Sequence, residues 1–94
     1  MSNCKLSNVA KEDLIRIHQF GIKRLGVIQA DKYFERFFEY FDTIAEKTFA
    51  FESIDFIKPG YRRYVSGSDS TYYRVFKNSV EIISIIGRQD LSNI

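Results

Sequence analysis

Arginine and tyrosine side chains cluster in residues 60–75, GYRRYVSGSDSTYYRV. The arginines are Arg62, Arg63 and Arg74, and the tyrosines are Tyr61, Tyr64, Tyr72 and Tyr73. Window 58–77 holds five basic residues and one acidic residue, Asp69, whereas the whole chain has a formal charge of only +2. Guanidinium planes and phenol rings suit phosphate contacts, base stacking or an anionic protein partner. They are equally suited to the solvent-facing side of a strand, so the segment predicts either a binding surface or an ordinary polar strand face.

Catalytic groups are scarce in this segment. It has no carboxylate pair, no nucleophile beside a base and no histidine, since the chain's one histidine, His18, falls in a predicted helix. Arginine, lysine and tyrosine can in principle cleave RNA by stabilising a pentavalent phosphate and moving protons. One cysteine and one histidine make neither an internal disulfide nor a His/Cys zinc site, so no metal or other cofactor is expected.

The length of 94 residues predicts a single domain over residues 1–94. The hydrophobic share of 45% is ample for a folded core. No apolar run approaches the roughly 20 residues that span a bilayer, and the first residues lack the apolar segment of a signal peptide. We therefore expect a cytoplasmic protein.

Two amphipathic helices are predicted before the cluster. In the first, from Val9 to Leu25, apolar residues recur at three- and four-residue steps, with Ser7 or Asn8 as the cap and Gly26 at the end. The second runs from Val27 to Lys47 and is apolar over an unusually wide stripe. Its YFERFFEYF motif predicts core packing, with or without an exposed groove for an apolar helix. Because about two residues join the helices, we expect them to be antiparallel neighbours.

Strand patterns fill the rest of the chain. A short first strand is predicted at CKLSN, and four more at residues 54–57, 61–66, 71–77 and 80–86, separated by turn-forming residues. The last strand is apolar on both faces, which indicates a central strand that serves a further contact on its second face. Alternation places Arg63 on the opposite face from Arg62 and Tyr64, so one continuous basic face does not follow from the pattern.

The predicted fold class is α+β, in the order β-α-α-β-β-β. An N-terminal helical hairpin packs on one face of a small, mainly antiparallel twisted sheet.

The order of these elements and four motifs resemble the ParE branch of the RelE/ParE toxins of bacterial type II toxin–antitoxin systems. The motifs are LSNVAKEDLIRI, RLGVIQADKYFERF, GYRRYVSGSDSTYYRV and VEIISIIGRQD, which together cover nearly the whole chain. At the turn before Tyr72, the chain has Ser68, Asp69 and Ser70 where the family often has a histidine. The stretch TFAFES also lacks the proline often found after the second helix.

The resemblance implies a toxin that arrests growth by binding DNA gyrase stoichiometrically, without enzymatic turnover. It also implies neutralisation by a ParD-like antitoxin, a ribbon-helix-helix protein with an acidic C-terminal tail. Any DNA contact would be indirect, through the antitoxin or gyrase. RelE-like relatives instead cleave mRNA on the ribosome, using basic residues and a C-terminal tyrosine. No tyrosine follows Tyr73 here, which favours the gyrase branch over the endonuclease. An inactive member that only binds an antitoxin is the third alternative.

Two sets of contact residues follow from the motifs and the resemblance. The set predicted for the target comprises Arg62, Arg63, Tyr64, Tyr73, Arg74, Arg88 and Asp90. The set predicted for the antitoxin comprises Phe34, Phe38, Phe41, Arg63, Arg74, Ile83 and Ile85.

Overall fold

A computed structural model describes residues 3–67, 69–77 and 79–87. Its elements are β1 (Asn3–Leu6), α1 (Asn8–Leu25), α2 (Val27–Glu46), β2 (Glu52–Ser53), β3 (Tyr61–Ser66), β4 (Asp69–Phe76) and β5 (Ser79–Ile86). In these residues the strands form one sheet in the order β1-β5-β4-β3-β2. Strand β1 is parallel to β5, and the other neighbours are antiparallel. The predicted α+β class, with a helical hairpin and a mainly antiparallel sheet, is confirmed, and the short strand β2 is one strand more than the order β-α-α-β-β-β contains.

Helix α1 begins at a side-chain cap that also ties it to the sheet. The Ser7 hydroxyl oxygen accepts a hydrogen bond from Ala10 N at 3.0 Å, which satisfies one free amide of the first turn. The same hydroxyl donates to the carbonyl of Ile83 at 2.8 Å. Ser7 therefore fixes the start of the helical hairpin over β5.

Gly26 forms the turn between α1 and α2. Its φ of +85° favours glycine, and its N–H donates to the carbonyl of Ile22 while its carbonyl accepts from Ala30 N. Farther along the hairpin, a Cβ built on Gly21 would lie 3.3 Å from the Ala30 Cβ, so these small residues set a close approach of the helices. The predicted antiparallel hairpin is confirmed.

The core lies between the hairpin and one face of the sheet. It contains Ala10, Leu14, Ile17, Phe37, Phe41, Ile44, Tyr73, Val80, Ile82 and Ile85. Burial of each large apolar side chain stabilises the fold by about 1.5 to 3 kcal/mol relative to an exposed one. We call this side of the sheet the covered face.

The predicted strand at residues 54–57 is wrong. Strand β2 is only two residues long, Glu52–Ser53, and Ile54 begins a turn in which the N–H groups of Ile57 and Lys58 donate to its carbonyl. Asp55 closes this turn, because its carboxylate accepts a hydrogen bond from Gly60 N at 2.7 Å. The preference of Asp and Pro-Gly for turns outweighs the apolar alternation of IDFI.

Candidate functional site

The sheet face turned away from α1 and α2 is the candidate site, and we call it the open face. Cross-strand partners share a face, so the buried pair Tyr73 and Ile82 assigns their neighbours Arg74 and Glu81 to the opposite side. Within the described ranges, no helix packs on this side. The open face includes Lys5, Glu52, Tyr61, Arg63, Val65, Ser70, Tyr72, Arg74, Phe76, Ser79, Glu81, Ser84 and Ile86.

Ion pairs hold both arginines of the open face. Arg63 donates from Nε and Nη2 to one carboxylate oxygen of Glu52, at 3.0 and 2.6 Å. These hydrogen bonds raise the pKa of Arg63 above its ordinary value. Arg74 donates from Nη2 to Glu81 Oε1 at 3.0 Å across the β4–β5 pair. The guanidinium groups are therefore oriented by neighbouring strands and still partly exposed.

Apolar side chains flank these charges at the two ends of the face, with Val65 and Ile86 on the Arg63 side and Phe76 on the Arg74 side. Val65, Phe76 and Ile86 are exposed by 54%, 57% and 39%. Ile83 is half-buried and is the unpaired residue of a β-bulge opposite Tyr72 and Tyr73. The open face thus combines apolar area with oriented cations, a composition typical of a protein-binding surface.

A cavity of about 210 Å³ lies at one end of the open face. Its lining includes Lys5, Arg74, Glu81, Phe76 and Ser79. The guanidinium of Arg74 also lies 5.5 Å from the centre of the Phe76 ring. Cations from two strands therefore converge beside an exposed aromatic ring.

The predicted target-binding set does not form one surface. Arg63 and Arg74 lie on the open face, whereas Arg62, Tyr64 and Tyr73 point to the covered face. Tyr73 is completely buried, and its hydroxyl donates to the carbonyl of Thr48 at 2.6 Å. Burial raises the pKa of Tyr73 to about 12. The prediction needs correcting for Tyr73, which is a core residue and not available to a partner.

Arg62 and Tyr64 secure the segment between α2 and β3. Arg62 donates from Nη1 to the carbonyl of Phe51 at 2.7 Å, and its guanidinium lies 5.1 Å from the centre of the Phe49 ring. Tyr64 packs edge-on against Phe51 at a ring distance of 4.7 Å. Both side chains are half-buried, which indicates an internal anchoring role.

The predicted antitoxin-binding set is likewise divided. Phe41 and Ile85 are buried in the core, with exposed fractions of 4% and 1%, so the prediction needs correcting for both. Phe38 is 43% exposed and contacts the half-buried Phe34 edge-on at 5.3 Å, which leaves an accessible aromatic pair on α2. Arg63, Arg74 and Ile83 belong to the open face and its bulge. Arg88 and Asp90, from the target set, lie outside the described residues.

Two carboxylates that tie the helices to the sheet, Asp13 and Asp69, were not predicted to be buried. Asp13 accepts a hydrogen bond from the backbone N–H of Ile85 at 3.0 Å, and from Arg16 at 3.0 Å. Asp69 is buried at the start of β4 and accepts from the Tyr33 hydroxyl at 2.6 Å. The burial of Asp13 could have been predicted from the sequence, because this acid falls on the apolar side of α1, one residue before Leu14.

The described residues contain neither a metal-binding cluster nor a membrane-spanning helix. Over the described residues, no cluster of three or more His, Cys, Asp and Glu side chains is arranged to hold a metal ion. No helix in that part of the chain is long and apolar enough to cross a membrane.

Comparison with known proteins identifies the fold. The family model for the ParE toxin of the type II toxin–antitoxin system parDE matches residues 4–91. The chain belongs to the ParE toxin family. Its resemblance to this family, inferred from the four motifs, is confirmed.

Relatives within the ParE family match over most of their length. Toxin ParE1 of Caulobacter vibrioides is 36% identical over 86 residues, which is 92% of this chain and 88% of that protein. Toxin ParE1 of Mycobacterium tuberculosis is 29% identical over 82 residues, covering 86% and 84%. A solved structure of the chromosomal ParDE system from P. aeruginosa superposes with a TM-score of 0.76 at 21% identity, covering 90% of this chain and 94% of that one. This last likeness supports the fold.

Proposed function

We propose that this ParE-family chain arrests growth by binding DNA gyrase stoichiometrically, in the cytoplasm where gyrase acts, and that an antitoxin neutralises it. The open face is the observation that carries the proposal. It presents the cations of Lys5, Arg63 and Arg74 together with exposed apolar side chains, and no described helix covers it. Complementary charges steer association, while apolar anchors supply most of the affinity.

The arrangement favours binding over turnover. Arg63 and Arg74 are each paired with a carboxylate of a neighbouring strand, Glu52 and Glu81. Because those carboxylates also repel phosphate, the two guanidinium groups are poorly placed to stabilise a pentavalent phosphate. The Nε2 atom of His18 lies 2.8 Å from Oδ1 of Asp31 on the helical hairpin, away from the open face. An mRNA endonuclease is therefore the less favoured function.

The antitoxin we propose is ParD-like, with a ribbon-helix-helix domain and an acidic C-terminal tail. Its acidic residues would offset the cations of the open face, and its aliphatic residues would cover Val65, Phe76 and Ile86. The exposed Phe38 with Phe34 on α2 offers a second apolar contact for the same segment. Five members of the predicted antitoxin set remain candidates: Phe34, Phe38, Arg63, Arg74 and Ile83. Phe41 and Ile85 are core residues and do not.

Supercoiling by purified gyrase tests the proposal. The free toxin is expected to inhibit supercoiling and to trap cleaved DNA, and the purified antitoxin to reverse both effects. A translation extract run in parallel should show no toxin-dependent mRNA cleavage. Intact supercoiling at micromolar toxin excess would contradict the gyrase proposal, and cleaved transcripts would favour the endonuclease instead.

Matched charge reversals locate the surface in the same assay. Arg63→Glu changes the open face and is expected to weaken inhibition by roughly tenfold or more, the scale of an interface hot spot. Lys23→Glu makes the same change of charge at an exposed position of α1, and should inhibit as the wild type does. Equal loss in both variants would show that total charge, and not the open face, determines inhibition.

A further inference from the structure

The cavity at the end of the open face carries unbalanced charge. Lys5 of β1 and Arg74 of β4 contribute two cations to its lining, and Glu81 of β5 contributes one carboxylate. Lys5 and Glu81 are register partners in the parallel β1–β5 pair, and Glu81 pairs in turn with Arg74. One added carboxylate would make this group neutral.

Arg74 also has an unused hydrogen-bond donor. Its Nη2 reaches Glu81, but its Nε is buried and has no hydrogen-bond partner among the described residues. The Arg74 side chain as a whole is 42% exposed, so a partner's carboxylate would meet its terminal nitrogens, whereas the buried Nε is closed to an incoming group. A guanidinium binds a carboxylate by donating two parallel hydrogen bonds in a planar geometry.

We propose that the cavity binds one carboxylate side chain of the antitoxin's acidic segment, next to an aliphatic residue that packs on Phe76. This inference rests on the proposed function, because it assigns the antitoxin to a particular part of the open face. Phe76 is 57% exposed, and both Arg74 and Lys77 lie against its ring. Among the residues that line the cavity, Glu81 leaves one excess positive charge, which one carboxylate would balance.

Peptide carboxylates fit this cavity better than nucleic acid does. A nucleic acid strand carries further phosphates on either side of the one bound. On the open face these would approach Glu81 and Glu52, whose negative charges repel them. A protein segment can carry an aliphatic side chain next to its carboxylate, and therefore matches a cavity that has both cations and an exposed ring.

Affinity for the antitoxin tests the inference. The probe is the purified protein encoded by the reading frame beside the toxin gene, titrated by calorimetry into wild-type and variant toxin. Arg74→Gln removes the charge-assisted hydrogen bond and should weaken binding roughly ten- to a hundredfold. Lys5→Gln should weaken it by about two- to fivefold, as expected for an exposed cation.

Glu81→Gln gives the more discriminating result. It removes repulsion of the incoming carboxylate and frees Arg74, so binding should tighten by about two- to fivefold. Glu12→Gln makes the same change of net charge at an exposed position of α1, and should leave the affinity unchanged. A variant with a damaged fold would not gain affinity, which separates this result from unfolding.

The outcomes are distinct. Wild-type affinity in Arg74→Gln, or no gain in Glu81→Gln, would overturn the inference while leaving the antitoxin pairing intact. Failure of the wild-type toxin to bind the antitoxin would contradict the proposed function, and the inference with it. Binding of a labelled single-stranded oligonucleotide that Arg74→Gln abolishes would overturn the choice of a carboxylate ligand.

Discussion

Arg62 and Tyr73 are direct cross-strand partners on the covered face, and each donates a hydrogen bond to a carbonyl of the segment after α2. The acceptors are Phe51 and Thr48, at 2.7 and 2.6 Å. The pair therefore fastens this segment to the sheet. The residues that offer charge to a partner are their sequence neighbours, Arg63 and Arg74.

Tyr73→Phe should make the stability of the fold less dependent on pH in alkaline solution. The phenol ionises near pH 10.0 in the unfolded chain, and burial raises its pKa to about 12 in the folded protein. Between these values only the folded state keeps the proton, so the contribution of Tyr73 is fully present below pH 10 and declines as the pH rises towards 12. At pH 8, loss of the hydrogen bond should cost about 1 to 2 kcal/mol in the free energy of unfolding.

Urea unfolding of wild type and Tyr73→Phe from pH 8 to pH 11.5 measures this difference. The wild type should be the more stable protein at pH 8, with a gap that narrows above pH 10. A gap that stays constant would show that Tyr73 ionises normally.

Tyr33 and Asp69 should be energetically coupled. The Tyr33 hydroxyl bonds the buried Asp69 carboxylate at 2.6 Å and so links α2 to the start of β4. Tyr33→Phe and Asp69→Asn are each expected to destabilise the fold, and a double-mutant cycle should give a coupling of about 0.5 to 3 kcal/mol. Additive effects in chemical denaturation would disprove the link.

Asp13→Ala should be among the more destabilising changes on α1. It removes the acceptor of the buried Ile85 N–H, at an expected cost of about 1 to 3 kcal/mol. Glu12→Ala, at the adjacent exposed position, should change stability by less than about 0.5 kcal/mol. Thermal unfolding compares the two variants, and faster hydrogen exchange at Ile85 in Asp13→Ala would locate the effect. Equal stability of the two would argue against this role of Asp13.

Arg62→Ala and Arg63→Ala should have opposite consequences although the residues are adjacent. Arg62→Ala should lower the free energy of unfolding by about 1 kcal/mol, because it loses the Phe51 hydrogen bond. Arg63 forms an exposed ion pair, so Arg63→Ala should leave the free energy of unfolding nearly unchanged. In the gyrase assay, Arg63→Ala should be the weaker inhibitor at a temperature where both are folded. The reverse order would assign the contact to the covered face.

Most elements of this fold can be predicted from the sequence, because both helices and strands β3 to β5 follow strong periodic patterns. The boundary of β2 cannot be predicted in this way, because residues 54–57 alternate as a strand does while Asp55 and Gly60 close a turn. Local hydrogen bonding decides between the two. The parallel pairing of β1 with β5 also depends on contacts distant in sequence.

The site can be predicted from the sequence only in part. Alternation shows that Arg62 and Arg63 lie on opposite faces, but it does not show which face the helices cover. Tyr73, Phe41 and Ile85 are of residue types that are common at contact surfaces, and only the packing shows that they belong to the core. Lys5 and Glu81 join Arg74 through pairings between distant strands, for which no local pattern exists.

The stoichiometry of gyrase inhibition tests the central claim most directly. Toxin is titrated against gyrase at a concentration well above the dissociation constant, and supercoiling and trapped DNA cleavage are followed. Our account predicts that inhibition rises linearly and ends at a fixed molar ratio, and that Arg63→Glu loses it while Lys23→Glu does not. Inhibition by far less than equimolar toxin that progresses with time, or no inhibition at any ratio, would contradict it.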